Sequence, residues 1–268
     1  MTTETAIPSL PFYPPLVPGQ PVPVPSPTQQ ALDRVFYPET DGKPIAENTQ
    51  QFKWIEVFKG GLDALLAENP AVFVAADLLW YPSEGTPHRC VAPDVMVVFG
   101  RPKGDRGSYL QWREEGVTPQ VVVEILSPSN TPEEMEAKLG FYSRYGVQEY
   151  FEYSPSAHVF RAWTREGETL TPVENAIGWT SPILGIRFER NAEGELLIVR
   201  PDGRVFATYV ELNRQREEAD RLRLIAEEQR EAAEEQREAA EHERDEARQR
   251  AERLAARLRE MGIDPDTL

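Results

Sequence analysis

Glu124 stands inside the run Val121-Val122-Val123-Glu124-Ile125-Leu126, and no other feature limits the fold as much. An ionised carboxylate among apolar neighbours is costly unless a cation, hydrogen bonds or a metal ion compensates it. Three successive valines favour a strand. Side chains alternate along a strand, so Glu124 shares a face with Val122 and Leu126, opposite Val123 and Ile125. A second carboxylate opens another apolar run, Pro93-Asp94-Val95-Met96-Val97-Val98-Phe99. If the two strands pair, Asp94 and Glu124 approach each other at one end of a sheet. Two carboxylates and a main-chain carbonyl make a hard oxygen site suited to Mg²⁺ or Mn²⁺. Such an ion polarises a phosphodiester and lowers the pKa of a bound water. The bland alternative is that Asp94 caps a turn and Glu124 pairs with a lysine or arginine for structure alone.

The rest of the chain divides by composition. Residues 1–27 hold nine prolines, which remove amide donors, so residues 1–36 read as an extended or disordered arm. Residues 47–68 show helical spacing of Phe52, Ile55, Val57, Phe58, Leu62, Leu65 and Leu66. Gly60 and Gly61 weaken that helix by about 1 kcal/mol each relative to alanine, and Asn69-Pro70 ends it. Strands are expected over 72–81, 91–99 and 120–126. A helix over 131–145 has Thr131 as N-cap, Pro132 at its first position, Glu134 closing a capping box and Gly146 at its end. Strands over 149–153 and 158–163, then short β-type pieces over 185–189 and 195–199, complete an α/β domain spanning 37–204. Its plan is a mixed central sheet flanked by helices.

Residues 205–262 differ sharply. They hold no proline, and no glycine before Gly262. The heptad Ala226-Glu227-Glu228-Gln229-Arg230-Glu231-Ala232 repeats identically over 233–239. Glu227 with Arg230, and Arg230 with Glu234, support a solvated helix by about 0.2–0.5 kcal/mol per pair. The seam Leu222, Ala226, Gln229, Ala233, Gln236, Ala240 is a poor set of knobs. A long helix follows, read either as a weak coiled coil joining two copies or as a single solvated helix, with residues 263–268 as a tail.

At this point the residues resemble a known family. A strand opening with Pro-Asp and a second strand carrying Glu-x-Lys mark the PD-(D/E)xK nucleases, but Leu126 stands where that lysine belongs. The continuation Glu124-Ile125-Leu126-Ser127-Pro128-Ser129-Asn130-Thr131, then Lys138, Phe141-Tyr142 and Gly146-Val147-Gln148-Glu149-Tyr150-Phe151, resembles the Uma-two family of restriction-endonuclease-like proteins, also described as a domain of unknown function. In that family the lysine has moved to the following helix, where Lys138 matches it. The runs 91–100 and 41–47 resemble the family as well, and so does the Ala/Glu/Arg-rich tail. The resemblance implies a restriction-endonuclease-like fold and a Mg²⁺- or Mn²⁺-dependent endonuclease acting on DNA. Asp94 and Glu124, with the Ile125 carbonyl, would hold the metal, and Lys138 would steady the attacking water or the charge developing on phosphate. Glu47 is implied as an additional acidic residue, its other reading being a first-turn glutamate favoured by the helix dipole. Tyr142, one turn beyond Lys138, reads as a packing or orienting residue. Gln51 and Glu134 depart from the histidine and aspartate common at those places in the family.

The charge runs against a nuclease. The chain carries 29 basic and 45 acidic residues, net −16, whereas nucleic-acid affinity comes largely from Lys and Arg. Residues 101–113 form the one local basic and aromatic patch. Arg101, Lys103, Arg106 and Arg113 are therefore candidates for phosphate contact, with Tyr109 or Trp112 for stacking. His88, His158 and His242 share no zinc-ligand spacing, and the single Cys90 excludes a disulfide framework. The N-terminus has no signal-peptide pattern and no run of 18–20 apolar residues spans a bilayer, so the chain reads as soluble and cytoplasmic. A competing reading keeps the fold without catalysis, as a scaffold assembled through the tail.

Overall fold

The computed structural model describes residue 32, residues 35–42 and residues 44–261. Almost all of the expected arm over 1–36, and the tail over 263–268, fall outside the described residues. The chain divides into two units that meet in sequence at Thr208 and Tyr209.

The first unit is a six-stranded mixed sheet with a helix on each face. Its strands are β1 (Val72–Ala75), β3 (Val95–Phe99), β5 (Val121–Ile125), β6 (Glu149–Ser154), β7 (Val159–Glu166) and β8 (Thr169–Pro172), in the spatial order β1-β3-β5-β6-β7-β8. Only β5 and β6 run parallel. Parallel neighbours need a crossover of a dozen or more residues, and α2 (Pro132–Arg144) supplies it. Helix α1 (Thr49–Leu65) packs on β1, β3 and β5 from the other side. The small strands β2 (Trp80–Tyr81) and β4 (Tyr109–Leu110) pair with each other, and β9 (Arg187–Arg190) with β10 (Leu196–Val199).

Alternation along β5 builds two cores. Val121, Val123 and Ile125 join Trp54, Ile55, Phe58 and Leu62 of α1. Val122 joins Met96, Val98, Tyr150 and Tyr142 of α2. Both helices start as their sequences direct. The Asn48 side chain accepts from the Gln51 amide at 2.9 Å, and Thr131 accepts from the Glu134 amide at 3.2 Å. The capping box expected at Thr131 is only half of that arrangement, because the Glu134 carboxylate accepts from the Asn130 side-chain amide instead.

Three expectations need correction. Residues 72–81 are two strands, because Asp77 adopts a φ of 49° and turns the chain between β1 and β2. Aspartate tolerates that left-handed conformation better than most residues. Phe52 is exposed, since the buried stripe of α1 runs through Gln51, Trp54, Ile55, Phe58 and Leu62 and leaves position 52 on its flank. Glu47 precedes the cap Asn48, so it lies outside the first turn in which the dipole would favour it.

The second unit is α3 (Tyr209–Glu260), a helix of 52 residues. Arginine precedes glutamate by four in its ion pairs Arg223–Glu227, Arg230–Glu234 and Arg248–Glu252. At such exposed sites each contributes about 0.3–0.5 kcal/mol.

The paired glycines of α1 have opposite environments. A Cβ on Gly61 would lie 2.2 Å from the Phe206 ring, whereas one on Gly60 meets nothing within 4 Å. In urea denaturation Gly60→Ala is expected to stabilise by about 0.5–1 kcal/mol, and Gly61→Ala to destabilise by about 1–3 kcal/mol through overpacking. Equal effects at the two positions would contradict this packing.

Candidate active site

The pairing of β3 with β5 sets the site. Val95 faces Val123 and Met96 faces Val122, so the same register carries Asp94 to the level of Glu124 at the end of the ladder. Asp94 is half-buried, and its Oδ2 accepts from the Ile125 amide at 2.6 Å. Glu124 is 2% exposed. Its Oε2 accepts from Lys138 Nζ at 2.8 Å and its Oε1 from the Tyr142 hydroxyl. One helical turn separates Lys138 from Tyr142, so both reach the carboxylate from one face of α2. Leu126 offers no cation to Glu124, and Lys138 supplies one from the helix.

Electrostatics follow from this crowding. Burial, then the charge of Glu124, push the Asp94 carboxyl well above the usual aspartate range. Burial opposes the charge on Lys138, but the charge and hydrogen bond of Glu124 outweigh it and hold the ammonium pKa above its ordinary value. Burial and Glu124 likewise raise the Tyr142 phenol. Lys138 is therefore a cation at neutral pH and Tyr142 a neutral donor.

A cleft of about 420 Å³ opens beside these groups, lined among others by Asp41, Glu47, Gln51, Asp77, Asp94 and Lys138. Glu47 accepts from the hydroxyls of Ser127, at 2.6 Å, and Ser129. Gln51 is buried, and its side-chain amide donates to the Ile125 carbonyl at 2.9 Å. Asp77 also faces the cleft, its carboxyl raised by burial, then by Asp41 and Glu124. Asp77 does not stand out in the sequence, where 72–81 reads as one apolar, strand-like run. A signal is present nonetheless, since Asp77 is the one charged residue in that run.

The 101–113 patch lies elsewhere. It follows the end of β3 remote from Asp94, and three of its four cations are engaged within the protein. Arg101 pairs with Glu115 at 2.9 Å, and Arg106 pairs with Glu114 at 2.7 Å while covering the Phe73 ring. Lys103 caps α1 through the Leu66 and Ala67 carbonyls. Arg113 is exposed. Tyr109 is fully buried with its hydroxyl on the Val117 carbonyl, so it offers no stacking face.

Among the described residues no group of three or more His, Cys, Asp or Glu side chains is gathered as a metal site. The oxygens that the register brings to this end of the sheet are the Asp94 and Glu124 carboxylates and the Ile125 carbonyl. All are hard oxygens, with one lysine against two acids, and this fits a divalent cation of the Mg²⁺ type.

The chain belongs to the Uma2 family, described as "Putative restriction endonuclease", whose model matches residues 48–193. Among solved structures the chain is similar to a protein of Anabaena variabilis ATCC 29413 described as "a putative nuclease belonging to DUF820". The identity is 12% and the TM-score 0.41, over 55% of this chain and 82% of that one. No curated protein matches the sequence.

The raised Asp94 pKa has a definite sign. Between the ordinary value of 3.8 and the raised folded value, the folded state binds more protons than the unfolded state. Stability of the metal-free protein therefore falls as pH rises through that window. Asp94→Asn keeps an acceptor for the Ile125 amide and removes the like charge. Its melting temperature at pH 7 is expected to exceed wild type, the gap closing at acid pH. A melting temperature below wild type at pH 7 would contradict this account.

Proposed function

We propose that this chain is a Mg²⁺- or Mn²⁺-dependent endonuclease that hydrolyses phosphodiester bonds of DNA, with the site borne by residues 37–204. The observation that carries the reading is the 2.8 Å contact of Lys138 Nζ with Glu124 Oε2 beside Asp94. It supports a PD-(D/E)xK-type trio, which the strand sequence alone leaves without its lysine. The family description supports the nuclease class, and the oxygen donor set supports the metal.

In this proposal Asp94 and Glu124 would hold the ion with the Ile125 carbonyl. When bound, the ion supplies Lewis-acid polarisation and a water of lowered pKa. Lys138, held protonated by Glu124, donates to the attacking water or to a non-bridging phosphate oxygen and stabilises developing charge. A protonated ammonium has no lone pair, so Lys138 is no general base here. Tyr142 orients Glu124. Gln51 and Glu47 fix the Ile125 carbonyl and the 127–129 loop around the site, with Glu47 as the additional acid. Arg101, Lys103, Arg106 and Arg113 stand apart, so Lys138 is the cation lining the cleft among the described residues.

The proposed second partner is another copy of the chain, joined through α3. That helix is about 78 Å long at 1.5 Å per residue and exposes Leu222, Leu224, Ile225 and Leu254. No helix of the described residues is long and apolar enough to cross a membrane, and the cytoplasm is the proposed compartment.

Plasmid cleavage with Mg²⁺ or Mn²⁺ tests the chemistry. Asp94→Asn and Lys138→Gln are each expected to lower the rate by about 10²–10³-fold, and Asp94→Asn to lose Mn²⁺ binding in calorimetry. Cleavage unchanged in both variants, with Mn²⁺ still bound, would overturn the assignment. For assembly, sedimentation is expected to give a dimer for the full chain and a monomer for a chain ending at Thr208. The same state for both would remove α3 as the joint.

A further inference from the structure

A groove runs along the flank of α2 opposite the cleft. Its two parts, of about 340 and 180 Å³, share Leu126, Glu152 and Arg161, and Asn130 and Trp163 border the larger. That size is at the lower end for small-ligand pockets. The strand register pairs Glu152 of β6 with Glu124 of β5, Arg161 of β7 with Glu152, and Trp163 with Tyr150. These side chains therefore stand on the sheet face that carries Glu124. Adjacent strands lie about 4.8 Å apart, so the groove begins one strand from the Asp94, Glu124 and Lys138 cluster.

Its chemistry is specific. Glu152 is buried, its Oε1 accepting from the Tyr150 hydroxyl at 2.8 Å and its Oε2 lying 3.5 Å from Arg161. Each carboxylate oxygen has two lone pairs, which leaves one on each for a ligand. The Arg161 side chain is 61% exposed and retains guanidinium donors. The half-buried Trp163 ring borders the groove with Tyr150 against it at 5.1 Å. Glu136 also lines the groove, so two carboxylates face one guanidinium. Net negative charge disfavours a phosphate and favours a neutral, planar group with adjacent donors.

Among the DNA bases only guanine fits all three elements. Its N1–H and N2–H₂ are neighbouring donors that match a carboxylate, and O6 beside them accepts from a guanidinium. Adenine and cytosine place an acceptor next to their one amino group, and thymine flanks its single N–H with two carbonyls. The guanine edge in question is the Watson–Crick edge, free only in an unpaired or extruded nucleotide. We infer that this groove is a base-reading subsite that takes guanine from an unpaired nucleotide next to the phosphodiester in the cleft. The inference rests on the endonuclease reading and adds the substrate's strandedness and base to it.

Binding without a divalent cation separates the two. The full chain is titrated into fluorescent ten-nucleotide oligothymidylates carrying one central dG, dA or dC, read by anisotropy. The dG strand is expected to bind at least 10-fold more tightly. Arg161→Ala and Glu152→Gln are each expected to reduce that preference to under twofold. If Glu152→Gln fails to fold, Arg161→Ala carries the test, since its side chain is mostly exposed. Equal binding of the three strands, or a dG preference that survives both variants, overturns the subsite. With Mg²⁺ added, cleavage of these same strands without dG preference would leave the nuclease reading intact and remove this one alone. A dG preference without cleavage would uphold the groove and remove the nuclease.

Discussion

The fold is organised around the neutralisation of one buried carboxylate. Glu124 lies in the middle strand of the connected set β3-β5-β6, where an unpaired charge is not tolerated. Lys138 and Tyr142, 14 and 18 residues further on, both end on it. That double attachment fixes how α2 is rotated over the sheet, and α2 is the crossover that lets β5 and β6 run parallel. Removing one partner of such a buried pair costs about 3–5 kcal/mol. A domain's whole stability is about 5–15 kcal/mol. The pair is therefore a large share of the domain's stability, and any chemistry at Glu124 uses an arrangement that also supports the fold.

Asp94 is different, because nothing in the fold requires a second acid there. The register sets it level with Glu124, and its one strong bond is to the Ile125 amide. The opposite helix reaches the same residue, through Gln51 on the Ile125 carbonyl. Ile125 is thus held by an acid on one side and by α1 on the other. The site is clamped from both faces of the sheet, yet sets two carboxyl groups beside a single lysine. Retaining such unfavourable charge at a rigid point is characteristic of functional sites.

How much of this was legible in the sequence follows from the range of each interaction. Strand alternation placed Glu124 and Val122 on one face, and helical spacing placed Lys138 and Tyr142 on another. Those are local rules, and the two faces meet in the structure. The caps at Asn48 and Thr131 act over three residues, and the one at Thr131 was equally readable. What escaped depended on distant partners. Asp77 was lost in an apolar run because only its left-handed turn separates β1 from β2. Phe52 fitted the helical period but lay on the flank of the stripe that the sheet selects. The 101–113 cations looked available until the structure supplied Glu114, Glu115 and the carbonyls that end α1, none of which composition can assign to them. The partner of Gln51 is 74 residues away in sequence, beyond any periodicity.

The acidity of the chain then takes a different meaning. A net charge of −16 is a sum over the whole chain, and the cleft is acidic in composition as well, with Asp41, Glu47, Asp77 and Asp94 around Lys138. Such a surface repels a polyanion unless cations offset its carboxylates. Single strands carry a weaker counterion atmosphere than duplex, so less phosphate neutralisation is demanded of the protein. Contacts to an exposed base edge, by hydrogen bonding and stacking, also give affinity that does not depend on basic residues. An acidic nuclease of this design would therefore bind through its metal and through bases rather than along the backbone. The acidic chain and its nuclease family are then compatible, on condition that the substrate exposes its bases.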